Sequence, residues 1–148
     1  MEKVKFVDTS INKSIAELVS KQDHRTLVLW ATDCAEHVLP YFEEKYPKDN
    51  RPRKAIEAGR AWVRGEIAMS EARTAAFDTH AAARDTNQAA ACAAARAAGH
   101  AAATAHVAGH AVHAATYAAK AATYAANTAK ERNWQYQRLL DLENANNL

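Results

Sequence analysis

AAACAAARAAGHAAATAHVAGHAVHAATYAAKAA, residues Ala89 to Ala122, decides how this chain folds. Alanine is the strongest helix former, and no β-branched run interrupts it. Between Ala72 and Ala129, 29 of 58 residues are alanine, and 148 residues hold only 4 Gly and 3 Pro as breaks. The chain therefore reads as all-α. Alanine on both partners lets helix backbones approach near the lower end of the usual range of roughly 8–10 Å. The expected architecture is an array or bundle of about six to seven short antiparallel helices with Ala-mediated close packing. AATYAAK at Ala114 recurs as AATYAAN at Ala121. That heptad is short and has Ala where a coiled coil wants Leu, so no long coiled coil follows.

Working outward, 148 residues suffice for one domain with its own core. A Leu/Trp-rich part, 1–70, should form a thicker layer beside the Ala-rich part, 71–130, with a C-terminal helix at 128–143. Ala89 to Ala119 carries one formal charge, Arg96, but four histidines and no Leu, Ile or Phe. It would insert poorly into a bilayer. A formal charge of +2 gives no footprint for nucleic acid or membrane. MEKVKFVDTS has no apolar signal-peptide core, which points to the cytoplasm. Cys34 and Cys92, far apart and outside any CxxC, read as reduced, apolar residues.

Helix signals recur along the chain. Ser14-Ile-Ala-Glu17 has capping-box spacing. Asp23 can cap a long helix that Pro40 should split. Pro52 suits the first turn of a helix that Gly65 weakens at its end, and Ser70 can cap the next. Thr86-Asn87 marks a boundary, whereas Gly99 and Thr104 leave the run either broken or continuous. Thr128-Ala-Lys-Glu131 is a second capping box.

On one continuous helix, His106, His110 and His113 fall within roughly 60° of each other, and Tyr117, Lys120 and Tyr124 continue the stripe. His100 points aside. The i, i+4 spacing of His106 and His110 can chelate a divalent metal, though HVAGH lacks the Glu of a zincin. His113 lies about 10 Å of rise from His106. A third ligand would have to come from Asp78 or Asp85. Amphipathic side chains covering an Ala helix explain the stripe most simply, without metal, and a contact stripe for a partner is a third reading.

A basic helix follows an acidic region: Lys45 to Arg73 carries eight Lys/Arg against four Asp/Glu, and the first 44 residues five against eight. Arg53, Arg60 and Arg64 line up beside the Ile56/Val63/Ile67 face, with Glu57 at their edge. Arg60 should be partly buried and paired with Asp33, Glu36 and His37, because a buried Arg needs a partner. The same arginines, with His113, Tyr117 and Tyr124, form the candidate binding patch. No stacking aromatic set accompanies them, which disfavours nucleic acid. Trp30, Trp62 and Trp134 read as core anchors. With no activated nucleophile, phosphate loop or isolated carboxylate pair, no enzyme is expected.

The stretch LVLWATDCAEHVLPYFEEKYPKDNRPRKAIEAGRAWVRGEI, Leu27 to Ile67, resembles the Ala-rich, all-α putative immunity proteins of bacterial toxin systems (the immunity-protein-five-like domain family). So does ARAAGHAAATAHVAGHAVHAATYAAKAA, Ala95 to Ala122, followed by ERNWQ at Glu131. The most specific element is DxRPRxAIEA, Asp49 with Arg51 to Ala58. The resemblance implies a cytoplasmic bacterial protein that neutralises a cognate toxin by direct stoichiometric contact, without cofactor. Two other readings stand beside it: a metal or small-ligand binder using His106 and His110, and a structural homo-oligomer with the His/Tyr stripe as its interface.

Overall fold

The computed structural model describes residues 5–124 and 128–146. Among them lie α1 (Ile11–Val19), α2 (His24–Val38), α3 (Pro40–Glu43), α4 (Arg51–Val63), α5 (Met69–Arg84), α6 (Ala89–Ala103), α7 (His110–Thr123) and α8 (Thr128–Asn146), and no strand. Seven are full helices and α3 is a single turn, so the architecture is the expected all-α bundle.

α6 is the central helix and packs against α2, α3, α4, α5 and α7. Ala91, Ala93, Ala94, Ala95, Ala97, Ala98, Ala101 and Ala102 are all buried, so α6 is covered almost all round. Only methyl side chains leave room for neighbours on so many sides. Alanine also loses no rotamer freedom on burial, but it removes little apolar area. The large buried side chains, Trp30, Leu39, Phe42, Ile56 and Leu139, supply the missing area. They join the alanines in one continuous core cluster. The Leu/Trp-rich part is thus interleaved with the Ala array rather than stacked beside it.

Asp23 caps α2, accepting from the Thr26 N–H at 2.7 Å. Pro40 separates α2 from α3. Gly65, at φ 75°, ends α4: its N–H donates to Trp62 O and that of Glu66 to Ala61 O, the paired bonds of a Schellman turn. Ser14 and Ser70, by contrast, lie inside α1 and α5 and cap neither. At the start of α5 it is Glu71 that reaches back to the Ala68 N–H. α8 extends to Asn146, three residues past the expected end.

Gly59 marks the closest approach of α4 to α2. A Cβ there would stand 2.8 Å from Thr32 Cγ2, and Thr32 is held by its hydroxyl bond to Val28 O at 2.9 Å. Gly59→Ala is therefore expected to destabilise by about 1–2 kcal/mol, overpacking outweighing the gain in helix propensity. Urea denaturation of the variant checks this.

Candidate functional site

The acidic α2 and basic α4 form the ion-pair network. Arg60, half-buried, reaches Asp33 at 2.8 Å and Glu36 at 3.0 Å. Arg53 bridges Glu36 at 3.1 Å and Glu43 of α3 at 2.8 Å, and Arg138 of α8 binds Asp33 at 2.8 Å. The Arg60 hydrogen bonds hold the Glu36 carboxyl below its usual range. Arg64 pairs with Glu66 at the surface. The three arginines of the candidate patch are thus each neutralised by a carboxylate. Glu57 is exposed and makes no ion pair among the described residues. The DxRPR element is also structural: Asp49 takes the Arg51 guanidinium at 2.7 Å, Arg51 reaches Asp85 at 3.1 Å, and Thr79 donates to Arg51 O. It ties the start of α4 to α5.

His37 does not join Arg60. Its Nδ1 lies 2.7 Å from Glu131 Oε2, and its ring stacks on Trp134 at 3.9 Å and 4°. Glu131 is almost fully buried. Burial pushes its carboxyl up, and His37 pulls it back. The second capping box therefore fails: Glu131 turns inward to α2, and the Thr128 hydroxyl meets that of Thr123 at 2.6 Å. Beside the dyad is a cavity of about 370 Å³ lined by Tyr41, Glu44, Lys130 and Trp134 among others. No Ser, Thr or Cys stands among the described lining residues, and the hydroxyl there is that of Tyr41. Of the tryptophans, only Trp30 is fully buried, donating to Gln135 O at 2.9 Å. Trp62 and Trp134 are partly buried, and Trp134 packs against the core cluster. Cys34 and Cys92 are free thiols.

The histidine stripe is not one helix. The Ala-rich run breaks at Thr104, whose carbonyl lies 2.6 Å from Nε2 of His24, at the start of α2. Residues 104–109 form a turn, and α7 folds back along α6. On an unbroken helix His100 and His110 would be about 15 Å apart; here their Nδ1 atoms stand 3.0 Å apart. His100, expected to point aside, is the centre of the cluster. Tyr117 stacks on it at 5.2 Å and 10°, and His80 of α5 meets it edge-on at 5.0 Å. The exposed His113 lies 5.4 Å from it and 6.0 Å from His110, centroid to centroid. His106 sits in the turn against Met69 Sδ, so it does not share a helix with His110, as the i, i+4 reading requires. Asp85 is held by Arg51, and Asp78 lines a separate cleft with Lys54. Tyr124 is exposed at the end of α7. Among the described residues no group of three or more His, Cys, Asp or Glu is placed to hold a metal ion.

Burial and then the Arg96 and Arg84 cations push His80 down to about 4. Burial and the neighbouring imidazoles push His100 down to about 3. Both are neutral at pH 7. Arg96 donates to His80 Nδ1 at 2.8 Å, and Gly99 makes room for that ring: a Cβ there would come within 2.7 Å of it.

Around this cluster is a face the sequence reading did not single out. Met69, Arg73, Phe77, His80 and Arg84 repeat along one side of α5, facing the 104–109 turn and α7. Phe77 is 60% exposed, Val107 47% and Met69 40%. Arg73 lies over the Phe77 ring at 5.3 Å. A cavity of about 320 Å³, lined by Arg73, Ala76, Phe77, His80, His106 and His110 with Ala103, opens beside it. No Asp or Glu occurs on α6, the turn or α7, and those of α5, Glu71 and Asp78, line the separate cleft with Lys54. The available signal was an aromatic on the α5 side opposite its buried alanines.

A family model described as Imm-5 like putative immunity protein matches residues 17–142. No curated protein and no solved structure matches the chain.

Proposed function

Because the chain belongs to the Imm-5 like putative immunity protein family, we propose that it neutralises a cognate toxin in the cytoplasm by stoichiometric contact, without catalysis or cofactor. The observation that carries the contact surface is the carboxylate-free face of α5 and the α6–α7 turn. An aromatic side chain left 60% exposed beside a cavity is costly to a monomer and useful to a complex. Arg73, Arg84 and Arg96 flank it and make no ion pair among the described residues, so the complementary toxin surface is acidic and carries an apolar anchor. The Arg53/Arg60/Arg64 surface is a poorer contact, since its charges are already paired. A second copy of this chain is also a poor occupant: a two-fold contact through this face would set its arginines against themselves.

The test is co-expression with the toxin-domain protein encoded beside this chain's gene. The wild-type chain should co-purify with it and restore growth. Phe77→Asp should weaken binding by roughly 2–4 kcal/mol, the size of a central anchor, while leaving the thermal midpoint unchanged, because the ring is largely solvent-facing. Failure of the wild-type chain to bind or protect would overturn the function. Undiminished binding by Phe77→Asp would move the contact elsewhere.

A further inference from the structure

The α6–α7 turn brings together two imidazoles from separate helices with no carboxylate beside them. His100 Nδ1 and His110 Nδ1 face each other at 3.0 Å. A neutral pair can hold this contact only if one ring donates and the other accepts, which fixes opposite tautomers. A metal ion can take the place of that shared proton. With bonds of about 2.0–2.1 Å, two nitrogens this far apart subtend roughly 90° at the ion. That is nearer the cis angle of square-planar or octahedral coordination than the tetrahedral one, and imidazole nitrogens in such a frame suit Cu(II) or Ni(II).

We propose that His100 and His110 chelate one divalent transition metal ion of the copper or nickel class through their Nδ1 atoms, with water in the remaining positions. The geometry of the surroundings supports it. His100 is clamped between the Tyr117 ring and the edge of His80, so one ligand is already oriented. His110 lines the cavity beside Phe77, which gives the ion an entry path. Burial keeps His100 neutral at pH 7, and a ligand must be neutral to bind. Arg96 is directed onto His80 Nδ1 rather than onto either ligand. His113 is the next imidazole out, with its centroid 5.4 Å from His100. The chelate does not rest on the toxin-binding reading, so it survives if that reading fails. It replaces the His106/His110 pair with one that the fold brings into contact.

The test is calorimetric titration of the tag-free full chain with CuCl₂ and NiCl₂ at pH 7, alongside the electron paramagnetic resonance spectrum of the copper form. One equivalent should bind, with hyperfine structure from two imidazole nitrogens. His100→Ala and His110→Ala should each weaken binding by at least about tenfold, and His37→Ala, whose ring stacks on Trp134 away from the cluster, should not. If His100→Ala fails to fold, the more open His110→Ala still decides the matter, with circular dichroism as the check on folding. No saturable binding, a spectrum without two imidazole nitrogens, or full affinity in His110→Ala would each overturn the site.

Discussion

Asp8→Ala is expected to destabilise this protein by about 3–5 kcal/mol, the usual penalty for stripping a buried charge of its partner. Arg132 of α8 is 4% exposed, and its guanidinium binds Asp8 through Nε and NH2, both at 2.9 Å. Its other partners, Gln135 Oε1 and Thr116 Oγ1, are neutral. Without Asp8, the buried guanidinium loses its one carboxylate hydrogen-bond partner among the described residues. Gln135 spreads the damage: it accepts from Arg132 and donates to Ala115 O of α7 at 2.9 Å, while its own carbonyl holds Trp30. Asp8→Asn keeps an acceptor and should lose less. Asp8→Ala with Arg132→Met should be more stable than Asp8→Ala alone, since the stranded guanidinium is gone. Urea denaturation of the three variants separates these outcomes. The pH dependence has a definite sign. Burial raises the Asp8 carboxyl, but the Arg132 bonds and charge and the Thr9 N–H outweigh it and hold it below its ordinary 3.8. Its contribution is full above about pH 4 and is lost as pH falls through the lowered value. Asp8→Ala should lack that acid limb.

How far the sequence revealed this molecule depends on the range of the interaction. The helices, their Ala faces and the Arg60–Asp33–Glu36 pairing were legible because composition, helical periodicity and neighbouring opposite charges are local. Capping was less so. Thr128-Ala-Lys-Glu131 has the right spacing, yet Glu131 gains more from His37, 94 positions away, than from the end of its own helix. The histidines show the same limit. A helical wheel over Gly99 to Tyr124 assumes a continuous axis, and the axis breaks where His24, 80 positions upstream, takes the Thr104 carbonyl. The turn over 104–109 replaces a stripe of His106, His110 and His113 by a cluster of His80, His100, His110 and His113. Arg132 and Asp8 lay beyond reach for the same reason, 124 positions apart. Phe77 was visible but carried no pattern, since an exposed aromatic is recognised only once the buried side of α5 is known.

The cluster itself predicts how the fold responds to acid. With a chelator present, stability should fall by about 2–4 kcal/mol between pH 7 and pH 5, a range in which ordinary carboxylates barely titrate. In the unfolded chain His80 and His100 take up protons near pH 6.5. In the fold they resist until about 4 and about 3. The unfolded state therefore binds more protons through this window, and stability is full above pH 6.5 and lost as pH falls towards those values. The groups facing them explain the resistance: Arg84 on their α5 side, Arg96 on α6, His110 and His113 on α7, and no carboxylate to stabilise an imidazolium. Glu131 acts in the opposite sense, because its raised carboxyl favours the proton in the folded state, and so reduces the net loss. His80→Gln keeps a polar side chain in a similar space without a titrating ring, and should flatten about half of the slope. Denaturation midpoints at pH 7, 6 and 5 measure it. A wild-type midpoint that does not move over this range would mean that the imidazoles accept protons without loss, and that the four rings are less crowded than their 5–6 Å spacing indicates.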